Sequence, residues 1–169
     1  VYANLGQTGR AIEYYELALA IRREIGYRRG ESVDLGNLGL AYAALGQAGR
    51  AIDYYEQALA ISREIGDKVA EGIHLSNLGD AYLRNGQAEQ AVSCLELALA
   101  NARELSLKER EATRGWGLGE AYEARGRYAE AIQLMELGVA WERETSNPDF
   151  EKHEAHLSEV RRKAAEDPG

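Results

Sequence analysis

Residues with reactive side chains are few in this chain, and their spacing does not suit catalysis. His153-Glu154-Ala155-His156 sets two imidazoles three positions apart, whereas a zinc-protease helix needs histidines four apart with a carboxylate base between them. Gly115-Trp116-Gly117-Leu118-Gly119-Glu120 has the glycine density of a phosphate-binding loop, but no strand precedes it and the loop's Lys and Ser/Thr are missing. Cys94 is the one cysteine, and a forty-residue offset lays it on Tyr54 and Tyr14, which marks a packing position. No nucleophile, base and orienting partner recur with His74. The expectation is a chain with no catalytic residue, no metal site and no cofactor. Asn37 and Asn77 carry the best binding chemistry, because a carboxamide offers donor and acceptor together.

The elements that must position these residues are written as a repeat. Val1–Gly26 laid on Ala41–Gly66 gives twenty identical residues in twenty-six. Gly6, Gly46, Gly86 and Gly126 are forty apart, as are Tyr2, Tyr42, Tyr82 and Tyr122, and Ala11, Ala51, Ala91 and Ala131. Leu35, Leu38 and Tyr42 are spaced i, i+3, i+7, so they share one helix face, and Leu75, Leu78 and Tyr82 repeat the pattern. Gly26 and Gly66 sit where a following amphipathic helix should stop, and Ser106 and Ser146 take that place later in the chain. The periodicity predicts helices over 8–25, 31–45, 48–65, 69–85, 88–105, 109–125, 128–145 and 149–165.

Composition narrows the class. Two prolines in 169 residues and 28% charged side chains fit a globular all-α chain. No run of apolar residues is long enough for a membrane span, and no leader opens the sequence. The start at Val1, inside a unit of the repeat, reads as an excised segment of a longer protein. A net charge of −8, with Arg161, Arg162 and Lys163 as the only basic cluster, argues against nucleic acid and favours a cationic or amphipathic peptide. The lone cysteine fits a cytoplasmic location. Sixteen Arg against four Lys points to a bacterial source.

The residues Leu35, Leu38-Gly39, Tyr42, Ala51, Tyr55, Ala58, repeated as Leu75, Leu78-Gly79, Tyr82, Ala91, Leu95, Ala98, resemble the tetratricopeptide repeat motif. A third copy reads Gly115, Leu118-Gly119, Tyr122, Ala131, Met135, Gly138. The long period and the Asn37-Leu38-Gly39 and Asn77-Leu78-Gly79 triplets are similar to repeats of kinesin light chains, spindle-orientation adaptors and arrays on bacterial signalling ATPases. The resemblance implies an all-α, right-handed superhelical solenoid of antiparallel helix pairs. The expected organisation is a half repeat at 1–26, repeats at about 27–66, 67–106 and 107–146, and a capping helix and tail at 147–169.

That resemblance also implies where a partner sits. In the family the first helix of each pair lines a concave groove, which here would carry Asn37, Leu40, Asn77, Asp80, Leu83, Arg84, Trp116, Glu120 and Glu123. The asparagines would pair with a peptide backbone, Trp116 would anchor a ligand side chain, and Asp80, Glu120 and Glu123 would make part of the wall acidic. The basic clamp with which chaperone-binding members hold a C-terminal carboxylate is missing. The expected function is a protein–protein interaction module within a larger regulatory or signalling protein. The alternative is a structural segment that forms a homo-oligomer through its incomplete N-terminal repeat, with the groove unused.

Overall fold

The computed structural model describes residues 2–166, with side chains from residue 7 onward. Among them are eight helices and no strand: α1 (Tyr2–Glu24), α2 (Arg28–Ala44), α3 (Ala48–Glu64), α4 (Lys68–Arg84), α5 (Ala88–Glu104), α6 (Lys108–Glu123), α7 (Tyr128–Thr145) and α8 (Phe150–Glu166). No helix of the described residues is long and apolar enough to cross a membrane.

Left-handed residues at twenty-residue intervals set the helix lengths. Gly26, Gly46, Gly66, Gly86 and Gly126 have φ of 70° to 75°, and Ser106 and Ser146 adopt the same conformation at 55° and 54°. At the end of α1, Tyr27 N–H donates to Arg22 O at 2.9 Å and Gly26 N–H to Arg23 O at 3.3 Å. This pair of hydrogen bonds satisfies two otherwise orphaned carbonyls, and it requires a left-handed residue at the turn. The longer of the two loops recurs as Asp67→Ser62 and Leu107→Ala102, each at 2.9 Å. Evenly spaced stops give α2, α3, α4 and α5 an identical length of 17 residues.

The start of the chain departs from expectation. α1 runs unbroken from Tyr2 through Gly6 and Gln7, where the repeat pattern predicts a turn. The residues ahead of that turn are too few for packed helical turns of their own, so extending α1 adds a backbone hydrogen bond per residue at less cost than nucleating a second helix. Val1 lies outside the described residues.

The chain divides into two compact units, residues 1–87 and 88–169. In the first, α1 packs on α2, α2 on α3 and α3 on α4, and α2 also touches α4. In the second, α5 packs on α6, α6 on α7 and α7 on α8. Small residues make the close approaches possible. A Cβ at Gly39 would fall 2.5 Å from Cε1 of Tyr55, whose ring is 1% exposed, and one at Gly119 would fall 2.8 Å from Cγ of Met135. Tyr54 stacks on Tyr42 with ring centroids 5.3 Å apart, whereas Tyr14, its counterpart on α1, lies exposed.

A different polar contact marks each of three junctions, α1–α2, α3–α4 and α5–α6. Between α1 and α2, Arg22 Nε meets Asp34 Oδ2 at 3.4 Å. Between α3 and the helices beside it, Ser32, Ser62 and His74 form a buried cluster. Between α5 and α6, the buried Arg114 donates to Ala98 O at 2.9 Å and approaches Asn101 Oδ1 at 3.5 Å. Asp34, His74 and Arg114 occupy one position of the repeat. An outer ion pair, by contrast, is copied unchanged: Arg23–Glu31, Arg63–Glu71 and Arg103–Glu111 lie at 2.9, 2.9 and 3.0 Å.

Gly39→Ala should destabilise the first unit by about 1–3 kcal/mol, the usual cost of forcing an extra carbon into a filled core. Urea unfolding followed by far-UV circular dichroism would measure it, and an unchanged midpoint would show that Tyr55 does not need that glycine.

Candidate functional site

On α2 the outward positions are Val33, Asn37, Leu40 and Ala44, and on α4 their counterparts are Ile73, Asn77, Asp80 and Arg84. The spacing i, i+4, i+7, i+11 follows one face of a helix. The two helices come close at Gly36, where a Cβ would meet Cε1 of His74 at 2.7 Å, so the two rows lie side by side. Val33 and Leu40 are each 52% exposed and Ile73 is 38% exposed. Asn37 and Asn77 are half-buried, and among the described residues neither carboxamide is engaged in a hydrogen bond. Leu83 is half-buried, and Asp80 and Arg84 are exposed. Burial pushes the Tyr55 phenol up to about 12, with Asp80 reinforcing and Arg84 opposing that shift, which places the α4 charges near a buried hydroxyl.

The floor beneath these rows is polar and closed. Ser32 Oγ lies 3.1 Å from Ala58 O, 2.9 Å from Ser62 Oγ and 3.1 Å from His74 Nε2, and Ser62 Oγ donates to Ala58 O at 3.0 Å. Every hydroxyl proton finds an acceptor when the imidazole hydrogen sits on Nε2. Nδ1 is then a buried atom with no partner. Burial lowers the His74 pKa, against a smaller opposing pull from Asp67, because an added proton would have nothing to bond. Ser32 and Ser62 are 1% and 0% exposed, so this serine–histidine cluster has no path to a substrate. The sequence pattern missed it, although a serine at position 62, where its repeat counterparts are Arg22 and Ala102, was a visible anomaly.

In the second unit two expected ligand contacts are occupied from within the chain. Trp116 is 8% exposed and stacks on His153 of α8 with ring centroids 4.0 Å apart, with His156 at 5.8 Å. Gly138 of α7 lies beneath the Trp116 ring, where an added Cβ would make ordinary contact at 3.5 Å. Trp116 is therefore a seat for α8, not an open anchor. Glu123 is held on both oxygens, by His156 Nε2 at 2.8 Å and Lys163 Nζ at 2.9 Å, and Glu123 followed by Glu159 raises the Lys163 pKa. Glu120 remains exposed.

The other chemical-looking signals resolve into structure. His153 Nδ1 bonds the buried Glu142 at 2.7 Å, and among the described residues no three His, Cys, Asp or Glu side chains are grouped to hold a metal ion. The glycine-rich stretch lies inside α6. Arg161, Arg162 and Lys163 are paired with Glu136, Glu166 and Glu123.

A family model of the tetratricopeptide repeat matches residues 1–64 and 70–140. The chain belongs to the tetratricopeptide repeat family. This TPR chain is similar to a Podosopora anserina kinesin light chain protein of nearly identical TPR-like repeats. The two are 26% identical over 99% of this chain and 83% of that one, with a TM-score of 0.80. The TPR domain of Sgt2 from Aspergillus fumigatus is 30% identical over 80% of each chain, with a TM-score of 0.64. The apo form of RapI shares the fold at 18% identity and a TM-score of 0.83; the match covers 95% of this chain and 45% of RapI. No curated protein matches the sequence. As a TPR chain it has an all-α helical-repeat fold and is a protein–protein interaction module that binds peptide or protein partners, on a scaffold that is generally non-catalytic.

Because folding disfavours the His74 imidazolium, the unfolded chain takes up the proton first and stability falls as pH drops below the ordinary value of 6.5. His74→Gln keeps a donor for Ser32 and should flatten this loss. Melting temperatures of the two proteins across about pH 5 to 7 test it; parallel profiles would refute the assignment.

Proposed function

We propose that the α2–α4 face binds an extended segment of a partner protein. The observation that carries this reading is the pair of unengaged carboxamides, Asn37 and Asn77, on neighbouring helices among exposed Val33, Leu40 and Ile73. Each carboxamide supplies a donor and an acceptor to the backbone of an extended peptide, and the apolar side chains receive the residues between. Leu83 widens the apolar floor, and Asp80 and Arg84 meet polar side chains of the ligand. The net charge of −8 favours a cationic or amphipathic segment over an acidic one. In this reading α8 is the terminal cap of the repeats, with Leu157 and Val160 buried beneath its polar outer side. The match covers 45% of RapI, which accords with placing such repeats within a larger protein.

A second reading rests on α1. Ile21 is 56% exposed where its repeat counterpart Ile61 is 6% exposed, and Tyr14 is 65% exposed. A second copy could cover that stripe, making self-association the use of this segment. Sedimentation equilibrium of the wild type and Ile21→Glu separates the two: a monomer in both leaves the peptide-binding reading alone.

Selection of peptides from a displayed library, followed by calorimetric titration, tests the binding face. Asn37→Ala and Asn77→Ala should each weaken the selected peptide about tenfold, as expected for loss of paired hydrogen bonds in a partly buried site. Undiminished affinity in the double variant, with an unchanged helical spectrum, would overturn the proposal.

A further inference from the structure

One repeat lacks a side chain that the others bury. Leu35 and Leu75 are 0% and 2% exposed, and the same position in the next repeat is Gly115. A Cβ built on Gly115 would meet a single atom within 4 Å, Leu134 O at 3.9 Å, so the space is open rather than refilled by the backbone. A cavity of 180 Å³ stands there, between α5 and α7 with α6 as its floor. Its walls are Leu99, Ala112, Leu134, Leu137 and the half-buried Trp141. Leu137 is 60% exposed at the rim.

The mouth is cationic in a chain that is otherwise acidic. Arg103 and Lys108 both face Glu111, so two positive groups share one negative one. Arg103 Nε reaches Glu111 at 3.0 Å, leaving its remaining N–H groups to solvent or a ligand. Lys108 Nζ is 3.5 Å from Glu111 and its side chain is 81% exposed, a looser contact than Lys68–Glu71 at 2.8 Å in the preceding repeat. A mid-helix glycine at a core position costs stability, and an open apolar cavity costs more, so a side chain supplied from outside would recover both contact and burial.

We propose that this cavity is a second binding site, one that takes a leucine-sized side chain of a partner peptide flanked by acidic residues. The leucine fills the volume left at Gly115 and packs on Leu134 and Trp141. The neighbouring carboxylates bond to Arg103 and Lys108. The site lies wholly in the second unit and uses neither Asn37 nor Asn77, so it stands or falls independently of the α2–α4 face.

The test is a titration of the isotopically labelled chain with acetyl-Glu-Leu-Glu-amide, read at the Trp141 indole N–H and the Leu134 and Leu137 methyls. Saturable shifts are expected at these groups, at least tenfold weaker with acetyl-Glu-Ala-Glu-amide and with acetyl-Lys-Leu-Lys-amide. Gly115→Leu, which installs the residue of the other repeats, should raise the melting temperature and abolish the shifts. Lys108→Glu, at an exposed site, should weaken binding tenfold and keeps the test decisive if the leucine variant does not fold. Absence of saturable shifts in the wild type, or equal binding by the leucine and alanine peptides, would reduce the cavity to a packing defect and overturn the proposal.

Discussion

The left-handed residue that closes a helix every twenty positions is the constraint on which the rest of the structure depends. It fixes helix length, and equal lengths keep each helix in step with those packed against it. Where the stop is glycine the conformation is cheap. At Ser106 and Ser146 the same φ is held against a steric cost, which shows that the backbone geometry of the turn dominates over residue preference. With the helices in step, a small residue on one can meet a large one on another. Gly39 receives Tyr55, Gly119 receives Met135, and Gly36 receives His74.

Much of this was legible in the sequence because it is local or periodic. The Leu-Gly-Tyr and Ala-aromatic-Ala spacings specify helix faces, and seven of the eight helices fall within three residues of their expected ends. α1 was the exception, because the repeat register implied a turn at Gly6 that the few preceding residues do not support. At the site, the rows carrying Asn37 and Asn77 could be drawn from helical spacing alone. Trp116 and Glu123 could not be placed that way, since both are claimed by α8, whose sequence carries no repeat motif. The serine–histidine cluster was invisible for a related reason: its members lie 30 and 42 residues apart, and laying the repeats on one another averages them away.

The shared inward-facing positions build the scaffold and are occupied by one another. In the readings proposed above, what is left for partners are positions that stand uncovered or where a copy differs: carboxamides with no bond to make, a glycine where leucine belongs, and cations that outnumber the carboxylate between them. The outer Arg–Glu pairs, copied without change, are partly solvated and contribute little to stability.

Near-identical copies within one chain carry a hazard of their own, because a helix can dock on the wrong duplicate and two chains can exchange matching segments. The buried polar contacts at Asp34, His74 and Arg114 bear on that hazard. Slipped by one copy, Asp34 would lose its guanidinium and face the Ser62 hydroxyl, while Arg114 slipped back by two, onto α1, would confront Arg22. Each error leaves a charge stranded in a dry place, a far larger penalty than the modest gain of the correct contact. The three unlike keys let a chain that repeats itself in twenty of twenty-six residues still tell its duplicates apart as it threads.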